Sequence, residues 1–340
     1  STSGPLLSDG AMGTMLAAQG LAFDQCLDSL NLERPAVVAE VHRAYIEAGA
    51  RVIQTNTFGA NRFKLAQHSL EEKVAQINQL GVELVRRVAR TVSQEVFVAG
   101  DVGPLGVRLA PFGRVQPEQA RQAFGEQIRA LAEAGADLII LETFSDLNEI
   151  LEALAAARQV CALPVVASLT YTRDDLTLLG DPPARVARAL AEAGADLIGV
   201  NCSGGPAQIW RILRQMRQAV PAARFSAMPN AGWPEQVGGR IMYPANPDYF
   251  GEYALAFCEA GARLVGGCGG TTPTHIAAMQ RALQTLPGGC APSVAELALP
   301  AETEERPDTA DLDSPLAQKL VEGRFVISVE MDTPRGISTH

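Results

Sequence analysis

Four segments of the chain run from a helix-like stretch through Glu-Ala-Gly-Ala into an apolar run and stop at polar or sulfur-bearing tips. They read EAGARVIQTNTF from Glu47, EAGADLIILETF from Glu133, EAGADLIGVNCSGG from Glu192 and EAGARLVGGCGGT from Glu259. Gly49, Gly135, Gly194 and Gly261 stand where a helix closes on a left-handed residue. The Val, Ile and Leu that follow, without polar alternation, suit a strand buried on both faces. Four more apolar or β-branched runs lie between these: LLSDG from Leu6, VFVAGDVGP from Val96, PVVASLTYT from Pro164 and RFSAMPNAG from Arg224. Each ends in turn chemistry. The separating stretches, such as those starting at Pro117 and Pro183, carry helical periodicity. Strand and helix thus alternate eight times from Leu6 to about Leu286, which predicts an α/β fold, a (β/α)8 TIM barrel over residues 1–286. The active site of such a barrel lies at the C-terminal strand ends, so Asn56, Thr57, Glu142, Asn201, Cys202 and Cys268 are expected around one mouth.

The pattern changes near Leu286. Residues 287–315 are rich in Pro, Glu, Asp and Ala and read as a linker. Residues 316–340 follow with a short helical stretch and an alternating strand from Phe325. A strand with no partners of its own gives the expectation of a second domain truncated near its start.

Composition narrows the function classes. A chain of 340 residues, 47% of them hydrophobic, can bury a barrel core. A net charge of −10 argues against a nucleic-acid surface, which needs clustered Lys and Arg. No run of about 18 apolar residues suggests a membrane span, and no basic stretch followed by an apolar one opens the sequence. A cytoplasmic location is the expectation. The six cysteines show no dense spacing, so metal ligands or core thiols fit better than a disulfide framework.

A lone cysteine at a strand end is ordinarily a small buried hydrophobe. Cys202 and Cys268 are different as a pair, because each ends a barrel strand and is embedded in glycine, as Cys-Ser-Gly-Gly and Gly-Gly-Cys-Gly-Gly. Glycine lets backbone approach an ion or ligand closely, and converging thiolates suit zinc. Cys26, Cys161, Cys258 and Cys290 carry the ordinary reading of core or junction residues. Glu142 ends an almost wholly apolar strand, where a carboxylate can receive an ammonium or serve a core ion pair. Asn56, Thr57, Asp101 and Asn201 are pocket candidates and ordinary turn formers alike.

DGAMGTML from Asp9, TNTFGAN from Thr55, GDVGP from Gly100, LETF from Leu141, GVNCSGG from Gly199, PNAG from Pro229 and GGCGGTTPTHI from Gly266 resemble, in order, the motifs of the zinc-dependent homocysteine S-methyltransferase family. The resemblance implies methionine formation by attack of a zinc-activated homocysteine thiolate on a methyl donor. It places zinc on Cys202 and Cys268, the substrate ammonium on Glu142, and the substrate carboxylate near Asp9 and Gly10, with Thr57 and Asn201 lining the pocket. Family members hold zinc with three cysteines, and here Gly269 stands where the third is expected. The final segment, GRFVISVEMDTPRG, resembles the start of a methylenetetrahydrofolate reductase domain, which favours a fused reductase and methyltetrahydrofolate as donor. The alternative implied by Gly269 is a non-catalytic homocysteine-binding barrel that regulates such a reductase.

Overall fold

The computed structural model describes residues 4–21, 25–233, 235–237 and 240–286. The expected linker, the expected second-domain start and Cys290 lie outside the described residues.

Eight parallel strands form the barrel wall: β1 (Leu6–Leu7), β2 (Val52–Gln54), β3 (Phe97–Val102), β4 (Leu138–Phe144), β5 (Val165–Leu169), β6 (Leu197–Cys202), β7 (Phe225–Pro229) and β10 (Ala262–Val265). Their order is β1-β10-β7-β6-β5-β4-β3-β2. A parallel bridge between Ser8 and Val52 joins the two ends, with the Asp9 N–H donating to the Val52 carbonyl at 3.0 Å. Every run read as a strand is a strand. The short antiparallel hairpin of β8 (Glu235–Val237) and β9 (Arg240–Met242) was not expected; strands of three residues carry no usable periodicity.

Beside the short helices α1 (Gly13–Ala18), α2 (Leu30–Glu33) and α4 (Arg62–Ala66), helices α3 (Pro35–Glu47), α5 (Val74–Ala89), α6 (Pro117–Glu133), α7 (Leu147–Val160), α8 (Pro183–Glu192), α9 (Pro206–Ala219), α10 (Pro247–Glu259) and α11 (Pro273–Leu283) cover the outside. The repeated Glu-Ala-Gly-Ala closes them as its glycines predict: φ is +106° at Gly49, +95° at Gly135, +84° at Gly194 and +103° at Gly261. Backbone bonds from Ala50 to Tyr45, Ala136 to Leu131 and Ala195 to Leu190 complete the closing turns and aim the chain into the next strand. In two copies the following Asp repeats one device. Asp137 accepts from the Val98 N–H and Arg86, and Asp196 from the Val165 N–H and Arg158, so each carboxylate ties the start of its own strand to the preceding one.

Two apolar layers result. One lies between the helices and the wall; the other, inside the barrel, stacks Val52, Ala99, Ile140, Val166, Met228 and Leu264. The interior is tight at Gly199, where a Cβ would stand 1.8 Å from Ser168 Oγ and 2.4 Å from Ser226 Oγ. Among the described residues no helix is long and apolar enough to cross a membrane.

Candidate functional site

Cys202 closes β6 and Cys268 follows β10, and their sulfurs lie 2.7 Å apart across 66 residues of sequence. Both face one small volume. Asn201, one residue before Cys202, holds this corner: its amide donates to Thr143 Oγ1 at 2.7 Å and to Cys268 Sγ at 3.8 Å, and its oxygen accepts from the Thr143 N–H at 2.9 Å. Thr143 Oγ1 lies 3.6 Å from Cys202 Sγ. Thr143, Cys202 and the next residue, Ser203, adopt left-handed backbone without being glycine, with φ of +60°, +52° and +55°. Such conformations cost energy and persist only where neighbours over-determine them. Here Ser203 does so, since its hydroxyl accepts from the Tyr171 N–H and donates to the Asn201 carbonyl.

The pair opens into a cleft of about 680 Å³ at the C-terminal mouth, lined also by Asp9, Gly10, Asp101, Glu142 and Thr143. The Glu142 carboxylate makes no hydrogen bond or ion pair with the described residues, so it is left for what enters the cleft. Burial, then the nearby Cys268 and Asp9, hold it well above the usual carboxylate range. Asp101 is pushed up by burial and then by Glu142, and its Oδ1 has no partner. Burial raises Asp9 to about 7 against the bonds it accepts from the Gln54 N–H, the Gln54 amide and Ser8. A cleft holding several acids that resist ionisation favours a cationic group, which would restore their charge.

Two converging thiols suit a soft cation, and the family resemblance expects a third at position 269, where glycine stands. Among the described residues no group of three His, Cys, Asp or Glu could hold a metal. A Cβ on Gly269 would stand 2.9 Å from Asn230 Oδ1 and 3.1 Å from the Tyr243 hydroxyl. Asn230 is locked by its amide, which donates to the Ser203 carbonyl at 3.0 Å, and its buried Oδ1 has no partner. That orphaned oxygen lies beside position 269 and is free to accept a hydrogen bond or to donate an electron pair. The Cys268 thiol is held well above its ordinary range by the adjoining Cys202 thiol, then by burial, and a bound dication would reverse this. His275 is not a candidate ligand: Nδ1 accepts from the Thr272 N–H, leaving Nε2 to donate to the Ala245 carbonyl.

Of the residues expected from sequence, Asp9, Gly10, Glu142, Cys202 and Cys268 line this cleft. Thr57 and Asn201 stand behind its wall. Thr57 is fully buried, donates to the Asp101 carbonyl at 2.7 Å and lies 2.6 Å from Thr55 Oγ1, whereas Asn201 positions Thr143 and Cys268. The Asp9 N–H is committed to barrel closure, but the N–H groups of Gly10 and Met12 have no partner among the described residues. Asn230 and Thr143 were missed, although each lies within or beside a motif, PNAG and LETF, that marks a strand end.

The homocysteine S-methyltransferase family model matches residues 6–283. A methionine synthase of Mycobacterium leprae is 34% identical over 304 residues, 84% of this chain and 25% of that protein. One from Mycobacterium tuberculosis is 35% identical over 288 residues, 80% of this chain and 24% of that protein. The chain therefore spans about a quarter of the length of these relatives. Among solved structures, the Escherichia coli homocysteine methyltransferase MmuM in its metallated form superposes with a TM-score of 0.68 at 27% identity, over 82% of this chain and 96% of that one.

Proposed function

The chain belongs to the homocysteine S-methyltransferase family, and on that premise we propose that its barrel methylates homocysteine to methionine at the Cys202–Cys268 pair. The observation that carries this reading is one cleft in which two thiols converge beside the unpartnered carboxylate of Glu142. Each end of an amino-acid thiol then has a counterpart. Glu142 receives the ammonium, and the free N–H groups of Gly10 and Met12 receive the carboxylate. Cys202 and Cys268, with Asn230 Oδ1 as an oxygen donor, are the residues that would hold zinc. Bound there, zinc keeps a coordinated substrate sulfur deprotonated at neutral pH.

The protein's own part is binding and orientation. Asn201 fixes the direction of the Cys268 thiol, and the strained Thr143–Cys202 corner fixes the other. The substrate sulfur uses an electron pair to bond the methyl carbon, and the bond from methyl to the donor breaks with its pair left on the donor. With methyltetrahydrofolate as donor the departing nitrogen takes up a proton in exchange for the one the thiol gave up. The resemblance of the final segment to a folate reductase supports that donor and a fused reductase partner. Five free cysteines among the described residues are consistent with a cytoplasmic setting.

A second reading, a homocysteine-binding barrel without catalysis that regulates a fused reductase, draws on Gly269, which leaves two thiolates in place of three. The experiment that separates them incubates the zinc-loaded protein with homocysteine and methyltetrahydrofolate carrying an isotopic label in its methyl group. Labelled methionine supports catalysis; homocysteine binding without methionine supports the second reading.

A further inference from the structure

Behind the wall of the cleft, one hydroxyl ties together the two loops that carry its opposite ends. Thr271 stands three residues after Cys268 and is fully buried. Its Oγ1 donates to the Cys268 carbonyl at 2.7 Å and accepts from the Ala11 N–H at 3.1 Å, a bond that spans 260 residues of sequence. Tyr45, fully buried on α3, shares its hydroxyl hydrogen between the Ala11 carbonyl at 2.8 Å and the Thr271 carbonyl at 3.1 Å. Neither residue is among those lining the cleft, whereas Gly10, Ala11, Met12 and Cys268, which they hold, all are.

Glycine makes this contact possible. A Cβ on Gly10 would stand 2.5 Å from Thr271 Oγ1 and one on Gly267 2.4 Å from it, so the hydroxyl occupies a space that a side chain at either position would close. The Gly267 N–H adds a parallel tie between the same loops by donating to the Asp9 carbonyl at 2.9 Å. Thr271 is not spent on helix capping, since the next residue, Thr272, is the N-cap of α11. The arrangement also sorts the amides of the first loop: Thr271 engages the Ala11 N–H, and the N–H groups of Gly10 and Met12 on either side have no partner among the described residues.

We propose that Thr271 is a positioning residue that fixes the span between the thiol end of the site, at Cys268, and its carboxylate end, at the Gly10 and Met12 N–H groups, with Tyr45 bracing it. The inference rests on the reading of this cleft as a homocysteine site. A ligand held at both ends gains fully from the second contact only when the two receptors already stand at the right separation, because receptors that must be brought into place consume binding energy in ordering. Thr271 and Tyr45 touch no ligand; they act through the loops they join.

The test uses the full chain, zinc-loaded, as wild type, Thr271→Val, Thr271→Ser and Tyr45→Phe. Titration calorimetry compares homocysteine with its decarboxylated analogue, aminopropanethiol, which keeps the thiol and the ammonium at the same spacing and lacks the carboxylate. Thr271→Val preserves the shape of the side chain and removes both hydrogen bonds of its hydroxyl. It is expected to weaken homocysteine by about tenfold, the scale of a lost hydrogen-bonded contact, and to leave the aminothiol unchanged. Tyr45→Phe is expected to show the same selective loss and decides the question where Thr271→Val does not fold. Thr271→Ser, which keeps the hydroxyl, is expected to bind both ligands as wild type does. Equal weakening of both ligands, weakening of neither, or a Thr271→Ser protein as impaired as Thr271→Val overturns the assignment and leaves the homocysteine site standing. Failure of wild type to bind homocysteine removes the methyltransferase reading and this inference with it.

Discussion

The amide oxygen of Asn230 lies 2.9 Å from the point where a Cβ on Gly269 would stand. The position that would bring a third thiolate to Cys202 and Cys268 is therefore in direct reach of an oxygen that has no other partner. Gly269→Cys should raise zinc affinity by about 10- to 100-fold, the scale on which even supporting groups around a metal act. The same change should cost the metal-free protein about 1–3 kcal/mol, because Asn230 and Tyr243 must give way to the new side chain. Competition with a chromophoric chelator reads the first effect and denaturant unfolding the second. Equal zinc affinity in the two proteins would show that position 269 does not face the metal.

Glu142→Gln should separate binding from folding. The carboxylate has no partner in the free protein, and burial already disfavours its charge, so the neutral amide should leave stability unchanged or slightly higher. Homocysteine binding should lose about 2–5 kcal/mol, the usual cost of removing one member of a buried charge pair. A variant that binds normally but melts early would assign Glu142 to the core.

Glu149 predicts a pH dependence. Burial first, then Asp146, raises its carboxyl from 4.5 to about 7, although the Leu105 N–H works against them. At pH below the ordinary value both folded and unfolded chains are protonated, and the full stability is present. As pH rises toward 7 the unfolded chain ionises first, so the folded state loses ground until its own carboxyl ionises. Asp9, Asp101 and Glu142 act in the same direction. Glu149→Gln cannot ionise, and its stability relative to wild type should increase across this window by about 2–4 kcal/mol. Urea unfolding at a series of pH values checks this; a constant difference would mean that the carboxyl is not desolvated.

Gly199→Ala should test the barrel interior without touching the cleft. The added methyl collides with both Ser168 and Ser226, and overpacking of this kind typically costs about 1–3 kcal/mol. Thermal unfolding should show the loss, with homocysteine affinity retained. No loss would mean that the two serines rotate away freely.

Much of the fold was legible because its signals are local and repeated. Each Glu-Ala-Gly-Ala carries a helix end, a left-handed glycine and a buried strand in consecutive residues, and all four closed as expected. The convergence of Cys202 and Cys268 was legible once the barrel was known, since barrel geometry brings strand ends together. What sequence could not supply was the direction of individual side chains. Thr57 and Asn201 sit at the right strand ends but turn into the wall, whereas Asn230 and Asp101 present unsatisfied oxygens that no spacing rule reveals. The hairpin β8–β9 escaped because six paired residues are too few to show alternation.

In the proposed reaction the Cys202–Cys268 pair receives the sulfur of homocysteine. Titration calorimetry of homocysteine and of homoserine, its oxygen counterpart, into zinc-loaded wild type and Cys268→Ser tests it most directly. Saturable homocysteine binding that weakens by about tenfold or more in the variant, with no detectable homoserine binding to either protein, is the predicted result. Homocysteine affinity unchanged by Cys268→Ser, or homoserine bound as tightly as homocysteine, would contradict the account.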